Sequence, residues 1–123
     1  MNWMNVRYFT PKEFQCSCCG EENMDPEFIT LLDEMRHRVG RPLTITSGYR
    51  CAEHPDEKRK SMPGAHSAGL AADIAVSNGK ERYEILKAAF DLGMVGIGTA
   101  KTFIHVDAGH PSPDMRPSAW KYD

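Results

Sequence analysis

The sequence predicts a small α+β domain in which an antiparallel sheet carries helices on one side. Two observations point there. Apolar residues recur at helical spacing in two stretches, and four short β-branched or alternating runs surround the second of them. The order helix, strand, loop, strand, helix, strand, strand favours segregated helices over a doubly wound parallel sheet. At 123 residues the chain is expected to form one domain over 1–123, with one core and one cleft.

The first helix is expected over 26–39. Asp25 is a good N-cap and Pro26 suits the first helical position. Phe28, Leu32, Met35 and Val39 then form a stripe that Ile29 and Leu31 broaden, and Gly40 and Pro42 supply the stop. Leu43 to Thr46 alternates and reads as a strand. Residues 51–65, with Pro55, Pro63, Gly64 and the run Glu57-Lys58-Arg59-Lys60, read as a loop. Leu70 to Val76 is a second strand. Ser77 is expected to cap a helix over 79–92 whose stripe is Tyr83, Leu86 and Phe90 and whose stop is Gly93. Val95 to Gly98 and Phe103 to Asp107 read as a hairpin. Pro111, Pro113 and Pro117 exclude a long helix or a central strand from the tail, and Trp120 and Tyr122 are expected to cover the core.

Composition removes several functions. A net charge of −2 and a pI near 6.2 argue against a protein built to hold nucleic acid. No apolar run approaches the roughly 18–20 residues of a membrane helix. The segment Met1-Asn2-Trp3-Met4-Asn5-Val6-Arg7 does not read as a secretion signal. A monomer is expected, without membrane or nucleic-acid partners.

Polar, metal-binding residue types concentrate in two segments, His66-Ser67-Ala68-Gly69-Leu70-Ala71-Ala72-Asp73 and Phe103-Ile104-His105-Val106-Asp107-Ala108-Gly109-His110. Each lies on or beside an apolar strand, where an imidazole or carboxylate needs a partner. His105 and Asp107 are two apart on a strand and so face one side. Two imidazole nitrogens and a carboxylate oxygen suit zinc, with a fourth position for water.

His66, Gly69, Ala71 and Asp73, in the pattern His-x-x-Gly-x-Ala-x-Asp, are followed about thirty residues later by Phe-Ile-His-Val-Asp and preceded by Ser47-Gly48-Tyr49-Arg50. These three segments resemble the zinc D-Ala-D-Ala carboxypeptidase family, which shares its fold with lysostaphin-type endopeptidases and the hedgehog signalling domain. The chain is most similar to the short, phage- or prophage-associated branch. The resemblance implies a hedgehog/D-Ala-D-Ala-peptidase-like fold, a Zn2+ cofactor held by His66, Asp73 and His105, and hydrolysis of peptide bonds in the peptidoglycan stem. His110 is the alternative third ligand, with Asp107 then three residues before it. The resemblance also implies that Arg50 binds the peptide and stabilises the oxyanion, as its planar donor fork suits.

Asp107 is the first choice for the general base and could equally orient a ligand imidazole or pair with Arg50. The family's acid three residues before the ligand histidine is replaced here by Thr102. Glu53 and His54 are weaker candidates. Cys16, Cys18 and Cys19, with Cys51 farther on, are read as Cys-x-Cys-Cys plus one; a structural zinc, a disulfide and free thiols all remain open. Lys58-Arg59-Lys60 is expected to be a solvated run, or to attract acidic stem peptides. The alternative to an enzyme is a non-catalytic zinc-binding domain in a phage structural or interaction role. Synthesis in the cytoplasm is expected, with action at the wall after lysis, holin release or virion delivery.

Overall fold

The computed structural model describes residues 3–122; Met1 and Asn2, the first residues of the segment read for a secretion signal, and Asp123 lie outside them. Helix α1 spans Pro26–Val39, as its punctuation predicts. The Asp25 carboxylate accepts the Phe28 N–H at 3.0 Å, and Gly40 ends the helix at φ 80°, where a side chain would be strained. Phe28, Ile29, Leu32 and Met35 are buried along one face. Asp33 is buried as well. It accepts both the backbone N–H and the Nε–H of Arg7 and the N–H of Tyr8, which fastens the N-terminal segment to the helix.

Helix α2 is a single turn, Pro55–Lys58, inside the stretch read as loop. Helix α3 spans Gly79–Asp91. Its cap is Asn78, not Ser77: the Asn78 side chain accepts the Glu81 N–H, while Ser77 donates its own N–H and hydroxyl to the Glu81 carboxylate. Its buried face also differs from the expected stripe. Ile85, Ala88 and Ala89 are buried, whereas Tyr83 and Phe90 stand exposed. The aromatic residues attract attention by size, but the alanines let the helix approach its neighbours closely, and that decides the face.

Five strands form one sheet: β1 (Ile45–Ser47), β2 (Ala71–Ala75), β3 (Gly96–Thr99), β4 (Phe103–Asp107) and β5 (Ser118–Lys121). Their order is β1-β2-β4-β3-β5. The first four pair antiparallel, and β5 joins β3 in parallel at the edge. The proline-rich tail thus supplies an edge strand, the position open to it. The α1 helix packs on α3, and α3 on β4.

Alternation divides the central strands between two faces. Ala72, Ile74, Ile97, Ile104 and Val106 enter the core with α1 and α3. Asp73, His105 and Asp107 fall on the other face, and the register sets Asp73 opposite His105. The apolar half of each strand therefore anchors the polar half. Among the described residues, no helix is long and apolar enough to cross a membrane.

Candidate metal centre

His66 reaches the sheet from a tight turn. The Gly69 N–H closes that turn on the His66 carbonyl, and Gly69 sits at φ 75°. A Cβ on Gly69 would also run into the backbone of Asn23. The turn aims His66 at the strand pair: His66 Nε2 lies 3.3 Å from Asp73 Oδ1, and His105 Nδ1 lies 3.2 Å from the same oxygen. One donor atom from each of the three residues falls within 4.8 Å of the others. All three residues are only 4–6% exposed.

The remaining ring nitrogens are also fixed. His66 Nδ1–H donates to the Gly48 carbonyl at 2.8 Å, and His105 Nε2–H donates to Asp107 Oδ2 at 2.6 Å. Both acceptors can only accept, so each ring keeps a hydrogen on its far nitrogen, and with the rings neutral His66 Nε2 and His105 Nδ1 are the nitrogens left to offer lone pairs to a metal beside Asp73. Two pre-oriented imidazoles and a carboxylate fit a zinc ion by donor type and by anchoring of the far nitrogens. His110 does not join this group of donors. It lines the cleft wall instead, where its Nδ1 accepts the Ser112 N–H at 2.9 Å.

Protonation follows from burial and neighbours. Burial pushes the His66 pKa down and outweighs Asp73, so the ring is neutral and fit to ligate. Burial also opposes protonation of His105, but its hydrogen bonds to Asp107 and Asp73 raise its pKa. Burial would raise both carboxyls. His105 and His66 hold Asp73 well below the usual range instead, and His105 and Arg116 do the same for Asp107.

Arg50 closes one side. It donates from Nε to Ser47 Oγ at 3.1 Å and from Nη2 to Asp73 Oδ2 at 3.3 Å. Its Nη1 lies 3.5 Å from Glu57 Oε2. Glu57, which the sequence presented as part of a charge run, is 5% exposed and organises the loop. It accepts from Lys60 Nζ, the Gly64 N–H and Ser67 Oγ at 2.7, 3.1 and 2.9 Å. Burial alone would raise its pKa, but these donors bring it down to about 2. The signal available was an acid three residues before a lysine, just after a Pro that can start a helix. Glu53, by contrast, is an exposed partner of Lys58, and His54 caps α2 and contacts Ser17.

The opposite side is built by the tail. Asp107 has no exposed surface, and Arg116 clamps it with Nε 3.0 Å from Oδ1 and Nη2 2.6 Å from Oδ2. Gly96 and Gly98 lie opposite Asp107 and His105 in the register. A Cβ at Gly96 would overlap the Asp107 carboxylate, and one at Gly98 would overlap the Trp120 ring. The Trp120 ring centroid is 5.1 Å from that of His105, and the Arg116 guanidinium carbon is 5.0 Å from the Trp120 centroid. Trp120 and Tyr122 therefore wall the site rather than cover the core as expected. Arg116 carried no sequence signal, because its partner is nine residues away across a turn. The resulting cleft has a volume of about 440 Å³, and Arg50, Asp56, Arg59, Lys60, His110 and Tyr122 are among its walls.

No curated protein matches the chain. A family model described as Peptidase M15 matches residues 7–107, from the N-terminal segment fastened to α1 through the end of β4. The match contains all three clustered donors, and only the Arg116–Tyr122 wall and His110 lie beyond it. On that match, which covers most of its length, the chain belongs to the Peptidase M15 family.

Proposed function

We propose that the protein is a zinc-dependent peptidase that hydrolyses peptide bonds of the peptidoglycan stem. The observation that carries this reading is the convergence of His66 Nε2, Asp73 Oδ1 and His105 Nδ1, with both imidazoles locked by their far nitrogens, at the floor of an open cleft. A zinc ion held by these residues supplies Lewis-acid polarisation and lowers the pKa of water towards about 7.

The chain's own residues do the rest. Arg50 presents a guanidinium whose position is fixed by Ser47, Asp73 and Glu57, and it serves a substrate carbonyl oxygen or terminal carboxylate. His110 accepts at Nδ1 from Ser112, so its neutral ring carries the proton at Nε2 and can donate to the substrate from the cleft wall. Asp107, with both oxygens engaged by His105 and Arg116, acts through His105: it fixes the ring and strengthens it as a donor. Asp73 and Asp56 are the carboxylates on the cleft wall. Asp73 is committed to the metal; Asp56, held by Arg59, is the other carboxylate on the wall and the candidate to take a proton from water. The aromatic wall of Phe103, Trp120 and Tyr122 packs against the substrate backbone. Action at the wall would follow release by lysis, a holin-type lesion or virion delivery.

Digestion of purified muropeptides, with and without a chelator, tests the reading. The expected result is cleavage of a stem or cross-link bond that chelation stops and added zinc restores. The engagement of Asp107 favours a second reading, a zinc-binding domain without catalysis. Bound zinc with no bond cut would establish that reading and sink the enzyme.

A further inference from the structure

The cysteines form a second group of donors away from the cleft. The Sγ atoms of Cys16, Cys19 and Cys51 lie within 4.8 Å of one another. The Cys18 thiol contacts that of Cys51. Cys16-Ser17-Cys18-Cys19 contains a Cys-x-x-Cys pair after all, Cys16 and Cys19, with Cys18 inside it. The backbone shapes this turn around sulfur. The Gly20 N–H closes on the Cys16 carbonyl at 2.8 Å, the Cys16 N–H bonds the Glu21 carbonyl at 2.7 Å, and Gly20 sits at φ 78°. The Cys16 sulfur accepts the Cys51 N–H at 3.4 Å and also the N–H groups of Cys18 and Cys19.

We propose that Cys16, Cys18, Cys19 and Cys51 bind one structural zinc ion, separate from the His66–Asp73–His105 centre. A tetrahedral zinc at about 2.3 Å from each thiolate needs sulfurs about 3.8 Å apart; Cys16, Cys19 and Cys51 lie within 4.8 Å of one another, and Cys18, which contacts Cys51 but stands outside that group, would close on the ion as the fourth ligand. Binding replaces four S–H protons, which are released to solvent as the metal–sulfur bonds form. Backbone N–H groups aimed at a sulfur favour its thiolate. A closed set of four thiolates has no open position and is structural rather than catalytic. One disulfide would use only two of the four sulfurs and two would use them all, whereas all four thiols stand unbridged. The zinc would tie the N-terminal turn to the residue directly after Arg50.

Cobalt substitution of the full chain under reducing, oxygen-free conditions tests this. Thiolate-bound cobalt gives a strong sulfur-to-metal charge-transfer band that a His, His, Asp site lacks. The wild type is expected to take up two cobalt ions and show the band. His105→Ala should lose one ion and keep the band. Cys51→Ser should lose one ion and the band, and Cys18→Ser should weaken it. If Cys51→Ser does not fold, the wild type suffices: a mercurial thiol reagent should release one of its two zinc ions and leave the other. One ion per chain without the band, or thiols that resist alkylation until reduced, would overturn the proposal. An unchanged band in Cys18→Ser would overturn the fourth ligand.

Discussion

The two donor clusters solve the same problem of convergence by opposite means. At the His66–Asp73–His105 centre, sheet register sets Asp73 against His105, and each imidazole is held from behind by Gly48 or Asp107. Pairing and packing bring those donors together. The cysteine cluster sits on one glycine-ended turn and the residue after Arg50, outside the sheet. Its holding contacts are backbone N–H groups on a single sulfur. On the proposals above, the first arrangement would use a metal for chemistry and the second would use one for shape. The cleft donors thus come from strands and one turn, and a thiolate-bound metal would add a second fastening to the one that Asp33 makes with Arg7 and Tyr8.

That contrast can be broken most sharply at His105. His105→Ala should lower peptidase activity by on the order of a thousandfold or more, as loss of a group central to the reaction does. It should remove one metal equivalent, and thiolate-bound metal should remain. His110→Ala should keep the full metal content; loss of metal there, with retention in His105→Ala, would exchange their roles. Next in size is the acid response of the loop. Glu57 titrates near 2 when folded and near 4.5 in its ordinary state. Its stabilisation is therefore complete above the ordinary glutamate range and is lost as pH falls towards about 2. Glu57→Gln should flatten the stability–pH curve across that window and cost about 3 kcal/mol at neutral pH, read by denaturant unfolding.

A smaller effect is expected at the support behind His105. Asp107→Asn should weaken the metal at the sheet site by about 10–100-fold, measured by competition with a chelator, with saturating metal restoring much of kcat. An Asp107 that is instead the base would show undiminished metal affinity and no rescue. The smallest concerns the scaffold that both clusters share. Asp25→Ala removes the cap of α1 and should lower stability by about 1 kcal/mol, with the metal count unchanged at both sites.

Local chemistry was legible wherever one residue type in one place settles a structure. Asp25, Pro26 and Gly40 bounded α1 correctly, and the tail prolines confined that segment to an edge strand. The three donors were implied by the resemblance of the His66–Asp73 and Phe103–Asp107 segments to the carboxypeptidase family, and the structure brings their donor atoms within 4.8 Å of one another. Less legible were features that depend on what is missing or on distant partners. The buried face of α3 is alanine-rich, so hydrophobicity alone selected Tyr83 and Phe90. Glu57 looked like one charge among several because its three main donors come from side chain and backbone across the loop. Gly96 and Gly98 are informative only once β3 is known to lie beside β4. Trp120 could be assigned to the cleft only once β5 was seen to pair with β3.

The way the acids of the cleft are matched has a kinetic consequence. Asp73 is paired with Arg50, Asp107 with Arg116, Glu57 with Lys60 and Asp56 with Arg59. The walls thus offset their own charge, and a divalent cation on the floor would leave the cleft with surplus positive potential. Chains bearing free carboxylates would be drawn in from solution faster than neutral ones of the same length, by long-range steering. That advantage should shrink as added salt shortens the Debye length to about 8 Å and below, so ionic strength would sort substrates by charge before any bond is touched.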